Sequence, residues 1–432
     1  MNIPEPYRRG DPRAVVLGLE HPRGVAAIQS LGRAGIPVVG VDHEPSPLGF
    51  CSRYVGRKVR VDRNPEKALA SLEALGRDGG GVLMPTNDHY LVLVAKNLDR
   101  LSPHFILTTP PWEILGALTD VARCYEMARE LEIRTPRFFK PRTEAEMRRM
   151  VAGLDLDRHE YILKTMPGSV PANARTGRFT RVAGADRETI ERDCLEIFAR
   201  AGEFPAILEV VPGTADRCVG VCMVVDHRHE PVLWYSVRRL RLHTYAKGGR
   251  FVHPYEMGSN VYCESIHDEQ AVEAAKRLVR RARYHGPIAV EFRRDPADES
   301  LVLIKADPRF VRATSLSRKI GLDMPTAVYS TFSGRPDFKG GNYSDGVAWI
   351  WLTAYFGALW ANRSDRPLRG ELFGLVRNFR RIKAVAYFDW RDPEPFLVNL
   401  LRGWSAWTKS LDGGPLRRLV HRVRRRAAVA PS

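Results

Sequence analysis

The first hundred residues alternate short apolar runs with stretches whose apolar residues recur at helical spacing. Residues 14–19 (AVVLGL), 36–42 (IPVVGVD) and 81–85 (GVLMP) read as strands, and 25–34 and 88–98 as helices. Strands separated by helices require a parallel sheet covered on both faces, because each crossover lays a helix against the sheet. The turn after the first strand, Gly18 to Gly24 (GLEHPRG), is not G-x-G-x-x-G, so a dinucleotide site is a poor match. Asp42 nevertheless stands where a ribose-binding acid would.

From Asp120 the pattern changes. Helices at 122–131 and 143–152 precede a strand at 161–164 (YILK), followed by a Gly/Pro-rich loop and a strand at 177–182. Residues 206–211 form another strand, 219–225 and 231–237 a hairpin across 226–230, and 270–284 a helix. Strands at 288–292 and 301–306, joined by 295–300, complete an α+β segment with a mostly antiparallel sheet. After about residue 336 the chain is rich in Trp and Tyr, with turn signals at 389–395. There is no internal repeat.

Lys plus Arg is 67 against 50 Asp plus Glu, a net charge of +17, and Arg dominates at 55 to 12 Lys. No zinc-finger, RNP or helix-turn-helix pattern accompanies that charge, so nucleic acid is disfavoured as a partner. The one dense basic run, 417–426 (RRLVHRVRRR), suits either a solvated helix end or peripheral contact with anionic lipid. Six cysteines without regular pairing argue against a disulfide framework and a zinc ribbon. The N-terminus has no apolar signal segment, and cytoplasmic placement is expected. The longest uncharged run, 346–362, has 17 residues. That is marginal for a membrane span, so its Trp349, Trp351, Tyr355 and Trp360 are expected to pack on the body of the protein or against a second copy in a homodimer.

Several fragments stand together in a telling order. They are LGRAGIPVVGVD (31–42), CSRY (51–54), PTNDHY (85–90), ALTD (117–120), IRTP (133–136), ILK (162–164), EVVPG (209–213), RRLR (238–241), GPIAVEF (286–292), LIKADPRF (303–310) and FDWRDPEP (388–395). In this order the chain resembles the ATP-grasp superfamily, and within it carboxylate–amine ligases similar to D-aspartate ligase. The resemblance implies a Rossmann-like pre-ATP-grasp α/β domain over 1–115 and an ATP-grasp domain over 116–335. The latter divides into a small lobe (about 120–212) and a large lobe (213–335), and a C-terminal extension covers 336–432. It also implies ATP and Mg²⁺ as cofactors, and a small carboxylic acid and an amine as substrates.

By the same resemblance, Lys164 and Arg178 would hold the ATP phosphates, and Glu209, Val210 and Val211 would form the hinge that hydrogen-bonds adenine. Asp216 would reach the ribose. Arg239 and Arg241, which strict alternation would place on one face, would clamp the transferring phosphate, and Arg309 would hold it or the substrate carboxylate. Glu291 and Asp307 would bind the metal. Lys305 stands where the family has a metal-bridging glutamate, Asp307 where it has an asparagine, and Arg178 where it has a lysine. Val121 and Leu208 also replace a lysine and a glutamine. An ammonium among metal ligands opposes cation binding, and alternation predicts an ion pair between Lys305 and Glu291. Two readings follow: a ligase working through an acyl phosphate, or a degenerate relative that binds nucleotide or a partner without turnover.

Overall fold

A computed structural model describes residues 10–164, 179–181, 186–243, 259–335, 342–361 and 374–410. Strands β1 (Ala14–Leu17), β2 (Val38–Asp42), β3 (Val55–Arg60), β4 (Gly81–Pro85) and β5 (Phe105–Leu107) pair in parallel in the order β3-β2-β1-β4-β5. The connections include helices α1 (Pro22–Arg33), α2 (Pro65–Arg77) and α3 (Asp88–Ala95). The strand order reverses between β1 and β4, which opens a crevice at their carboxyl ends.

Helix α2, which the sequence reading passes over, starts where Asn64 accepts hydrogen bonds from the Glu66 and Lys67 amides ahead of Pro65. The stretch 88–98, read as one helix, is instead α3 followed by a separate turn of helix, Leu98–Leu101. The Asp42 carboxylate is buried and accepts from the Leu19 amide at 2.6 Å and the Glu44 amide at 3.0 Å. It fastens the turn after β1 and is not offered to a ribose.

A four-stranded antiparallel sheet, β6-β9-β7-β8, follows from β6 (Phe138–Phe139), β7 (Tyr161–Lys164), β8 (Phe179–Arg181) and β9 (Ala206–Glu209). Tyr161, Leu163 and Ile207 pack against helices Glu144–Ala152 and Arg187–Ala201 through Met147, Val151, Ile190 and Ile197. Ile162, Ala206 and Leu208, on the alternate face, join a different core cluster.

The seven-stranded sheet contains β10 (Cys218–Val225), β11 (Pro231–His243), β12 (Ser259–Ile266), β13 (Gly286–Arg294), β14 (Leu301–Asp307), β15 (Ala348–Ile350) and β16 (Ile382–Val385). Their order is β14-β13-β10-β11-β12-β15-β16, so the aromatic-rich stretch supplies strands rather than a detached appendage. One face buries Val221, Met223, Ile288 and Val290 beneath helix Glu269–Arg281. The other face buries Cys222, Val224, Tyr235 and Ala289 in a cluster that also takes in Val25, Ile28 and Leu31 of α1. One continuous core therefore ties the parallel sheet's helix to the large sheet.

As expected, the aromatic stretch packs on the body. Trp349 is fully buried, its Nε1 donating to Ser315 Oγ at 3.0 Å, and Tyr355 is buried against Tyr262. The Trp360 side chain and the basic run 417–426 lie outside the described residues. Among the described residues no helix is long and apolar enough to cross a membrane.

Two of the quoted fragments prove to be partners. Asp392 of FDWRDPEP is buried and accepts from Ser52 Oγ at 2.6 Å and the Arg53 amide at 2.8 Å, both in CSRY, and from Gln29 Nε2 at 3.1 Å. Asp389 binds Arg33 at 2.5 Å and Arg318 at 2.7 Å. Asp392→Ala would strand three donors in a closed interface, where charge-assisted hydrogen bonds are worth about 1.5–3 kcal/mol each. A loss of about 3 kcal/mol in urea unfolding is expected for the whole, partial rehydration taking back the rest.

Candidate functional site

The chemistry-bearing residues converge on the face of the large sheet that meets the parallel-sheet domain. Cross-strand register places Glu291 opposite Lys305 and Ala289 opposite Asp307. Lys305 and Asp307, two apart on β14, share a face as expected. The Lys305 ammonium lies 2.8 Å from Asp307 Oδ2 and 3.5 Å from Glu291 Oε2, the predicted ion pair. Glu291 Oε1 is held by Arg239, and Asp307 Oδ1 lies 3.4 Å from Arg309 Nη2. Arg309 Nε also donates to Asp88, in the first turn of α3, so the array crosses to the parallel-sheet domain.

Arg239 reaches Glu291 across an intervening strand. Strands are spaced about 4.8 Å apart, so two strands' separation approaches the full reach of an arginine side chain. Gly220 on β10 lies opposite both Val237 and Glu291, and its missing side chain leaves the path open. A Cβ there would already sit 3.3 Å from Val237.

Arg241 does not join Arg239. A bulge interrupts β11 between them, so Arg239 pairs with Cys263 and Arg241 with the adjacent Tyr262. One extra residue in a strand reverses the faces that follow it. Arg241 is buried with its guanidinium 5.4 Å from the Tyr355 ring centroid. Simple alternation, which predicts a two-arginine clamp, fails at the bulge.

The residues expected at the hinge lie at and just beyond the end of β9. Glu209 pairs with Tyr161, on the helix-covered face of the small sheet, whereas Lys164 pairs with Ala206 on the other. Glu209 Oε1 lies 2.9 Å from His159 Nδ1, and Oε2 accepts from the Arg137 amide at 2.9 Å. The acid thus braces β6 against β9 and does not share a face with Lys164. Val210 and Val211 are buried just beyond β9, and the Val211 carbonyl accepts from Arg293 at 2.9 Å. Asp216 is exposed on a short 3₁₀ turn and accepts from Thr214. Lys164 ends β7, half-buried and close enough to Cys124 to act on its thiol. Arg178 lies outside the described residues.

Electrostatics explain why the array is stable. Burial alone would raise the Asp307 carboxyl, but Lys305, Arg309 and Arg239 outweigh it and hold the group far below the usual carboxylate range. Asp88 is likewise lowered by Arg309 and Arg23 against the effect of burial. The expectation that Glu291 and Asp307 ligate Mg²⁺ meets a simple obstacle: each of their four oxygens already faces a cation. Among the described residues no group of three or more His, Cys, Asp or Glu could hold a metal ion. The donor set does not fit a protein-bound Mg²⁺ site.

The sequence reading missed Asp88, although TNDHY follows β4 directly and Asn87 caps α3. It also missed Arg23 and Arg312, whose side chains gain their neighbours only through the fold.

No protein-family model and no curated sequence matches the chain. Solved structures do. An N5-carboxyaminoimidazole ribonucleotide synthetase in complex with ADP aligns with TM-score 0.60 at 11% identity, covering 80% of this chain and 82% of its own. The biotin carboxylase domain of Hydrogenobacter thermophilus 2-oxoglutarate carboxylase, solved with MgADP and bicarbonate, aligns with TM-score 0.57 at 12% identity, covering 79% and 74%. An L-amino acid ligase from Bacillus licheniformis aligns with TM-score 0.53 at 13% identity, covering 79% of each.

Because the lowered carboxyls donate their protons more readily folded than unfolded, their stabilisation is present above the unfolded value near 3.8 and is lost as pH falls below it. Acid titration of the melting temperature should therefore show a steep loss below about pH 4, and Asp307→Asn should flatten that slope. The neighbours and the order of elements together give the chain the ATP-grasp fold.

Proposed function

We propose that this chain is a cytoplasmic ATP-dependent ligase that joins a small carboxylic acid to an amine. The γ-phosphoryl group of ATP passes to a carboxylate oxygen of the acid, releasing ADP. The amine nitrogen then attacks the acyl carbon, expels phosphate and loses a proton as the amide forms. The observation that carries this reading is the Arg239–Glu291–Lys305–Asp307–Arg309–Asp88 array, three cations held in place by three carboxylates. Such fixed cations stabilise charge on a transferring phosphoryl group without rearranging during reaction.

Lys305 is the cation best placed to act. Its side chain is 40% exposed, against 13% for Arg239 and 14% for Arg309, so a phosphate arriving from solvent can meet its ammonium. In this reading Lys305 supplies the positive charge that a metal ion would bring, and no step depends on Mg²⁺ held by Glu291 and Asp307. Lys164 would draw in the α- and β-phosphates, and the backbone at Val210 and Val211 would meet the adenine.

One observation favours the second reading, nucleotide binding without turnover: the Glu209 carboxylate and the Val211 carbonyl already have hydrogen-bond partners. Measurement of ADP release over a pool of amino acids and amines, with and without added Mg²⁺, separates the two. Release that depends on both an acid and an amine supports the ligase. ATP binding with no release from any pair favours the second reading.

Two substitutions sharpen the test. Lys305→Met should lower ADP release by about 10²–10³-fold, the usual effect of removing one donor to developing charge. Lys164→Ala should weaken ATP binding by about 1.5–3 kcal/mol in calorimetry, the worth of a hydrogen bond to a charged group. Equal ATP affinity for wild type and Lys164→Ala would remove that residue from the site.

A further inference from the structure

Beside the array lies a second set of positive charges that the phosphoryl-transfer reading does not use. Arg23 sits in the first turn of α1 and is only 6% exposed. Among the described residues its Nε has no hydrogen-bond partner and its guanidinium forms no ion pair. Arg312, three residues beyond Arg309, also buries an unpartnered Nε, and its guanidinium stands 6.0 Å from the Trp351 ring centroid. His21, the residue before α1, is exposed at the same place and does not cap the helix with its side chain.

These groups are neighbours. Arg23 feels Arg309 and Arg312 as repelling charges, and Asp88 and Asp307 as attracting ones. The two carboxylates, however, are already bound by Arg309 and Lys305. Burial, then the nearby arginines, pushes the Arg23 guanidinium down to about 9. A buried cation whose nearby carboxylates are already engaged by other cations is costly to folding, and retaining one calls for a counter-charge that arrives later.

The surrounding backbone suits an anion. The first turn of α1 carries no acidic residue, and a helix N-terminus of this length attracts negative charge. The turn that leads into it is tight: Gly18 has φ +88°, and a Cβ on Gly24 would collide with the Gly18 carbonyl. The site also lies at the carboxyl ends of β1 and β4, where the strand order reverses.

We propose that Arg23 and Arg312, at the N-terminus of α1, form an oxyanion subsite that holds a carboxylate or phosphate group of the acid substrate beside Arg309. With the ligase reading, on which the word substrate rests, the acid to be activated carries a second anionic group. It is a dicarboxylic or a phosphorylated acid, anchored by one charge while the other carboxylate faces the phosphoryl donor.

The test uses the full chain without nucleotide, with inorganic phosphate and glutarate as probes in calorimetry and thermal melting. Wild type should bind at least one of them, and the tighter of the two identifies the group. Arg23→Met and Arg312→Met should each weaken that binding at least tenfold, with Arg23→Lys retaining part of it. In the absence of either anion, Arg23→Met should melt above wild type, because it removes an unpaired buried charge; a merely structural arginine would give the opposite. Wild type that binds neither anion, or binds it as tightly after Arg23→Met, overturns the subsite. ATP binding measured on the same samples is a separate readout: its absence would sink the ligase reading while leaving an intact anion response attributable to Arg23 and Arg312.

Discussion

Two carboxylates, Glu291 and Asp307, organise the face of the large sheet on which the proposed chemistry depends. Each presents both oxygens to cations drawn from β11, β14 and the second residue after β14, and Arg309 carries the chain of charges onward to Asp88 of α3. Groups removed this far from water are tolerated only when matched, and a partner lost leaves a charge that neither solvent nor neighbour can satisfy. The array therefore fixes the relative positions of three strands and one helix N-terminus through electrostatics, while Val25, Ile28, Leu31 and Ala289 join the same two sheets through a shared apolar cluster.

The same logic explains how a distant piece of sequence reaches the site. Asp389 and Asp392 clamp the segment after β16 to Arg33, Gln29, Ser52 and Arg318, so α1 is gripped at its C-terminal half by that segment. Tyr387 adds a donor to the Glu20 carbonyl at 3.2 Å, at the other end of that helix. Held this way, the first turn of α1 is presented to Arg309 and Arg312 from the opposite domain. The C-terminal segment thus contributes to the site by placing another element, without lining it.

Much of the architecture was legible in the chain. Continuous apolar runs separated by helical stretches dictate a covered parallel sheet, and the ordered fragments from LGRAGIPVVGVD to FDWRDPEP point to the fold that the solved structures share. The ion pair between Lys305 and Glu291 was legible too, because alternation is a local rule and β14 obeys it between 305 and 307. Alternation misled at Arg241, where one residue of bulge reverses the face, and the contacts of Glu209 with Arg137 and His159 follow from strand pairing that no local pattern gives.

By itself the sequence determined which segments become strands and helices and which charges the chain has to place, since propensity, periodicity and composition are properties of neighbouring residues. Only the tertiary structure decided how those charges are matched. Arg23 and Arg309 are nearly three hundred positions apart, and nothing local marks Arg23 as different from the many other arginines of this chain. Its distinction, a buried guanidinium that forms no ion pair among the described residues, exists only once β1, β4 and the end of β14 are brought together by a shared core. Pairing, burial and exposure are relations between remote residues, and packing sets them.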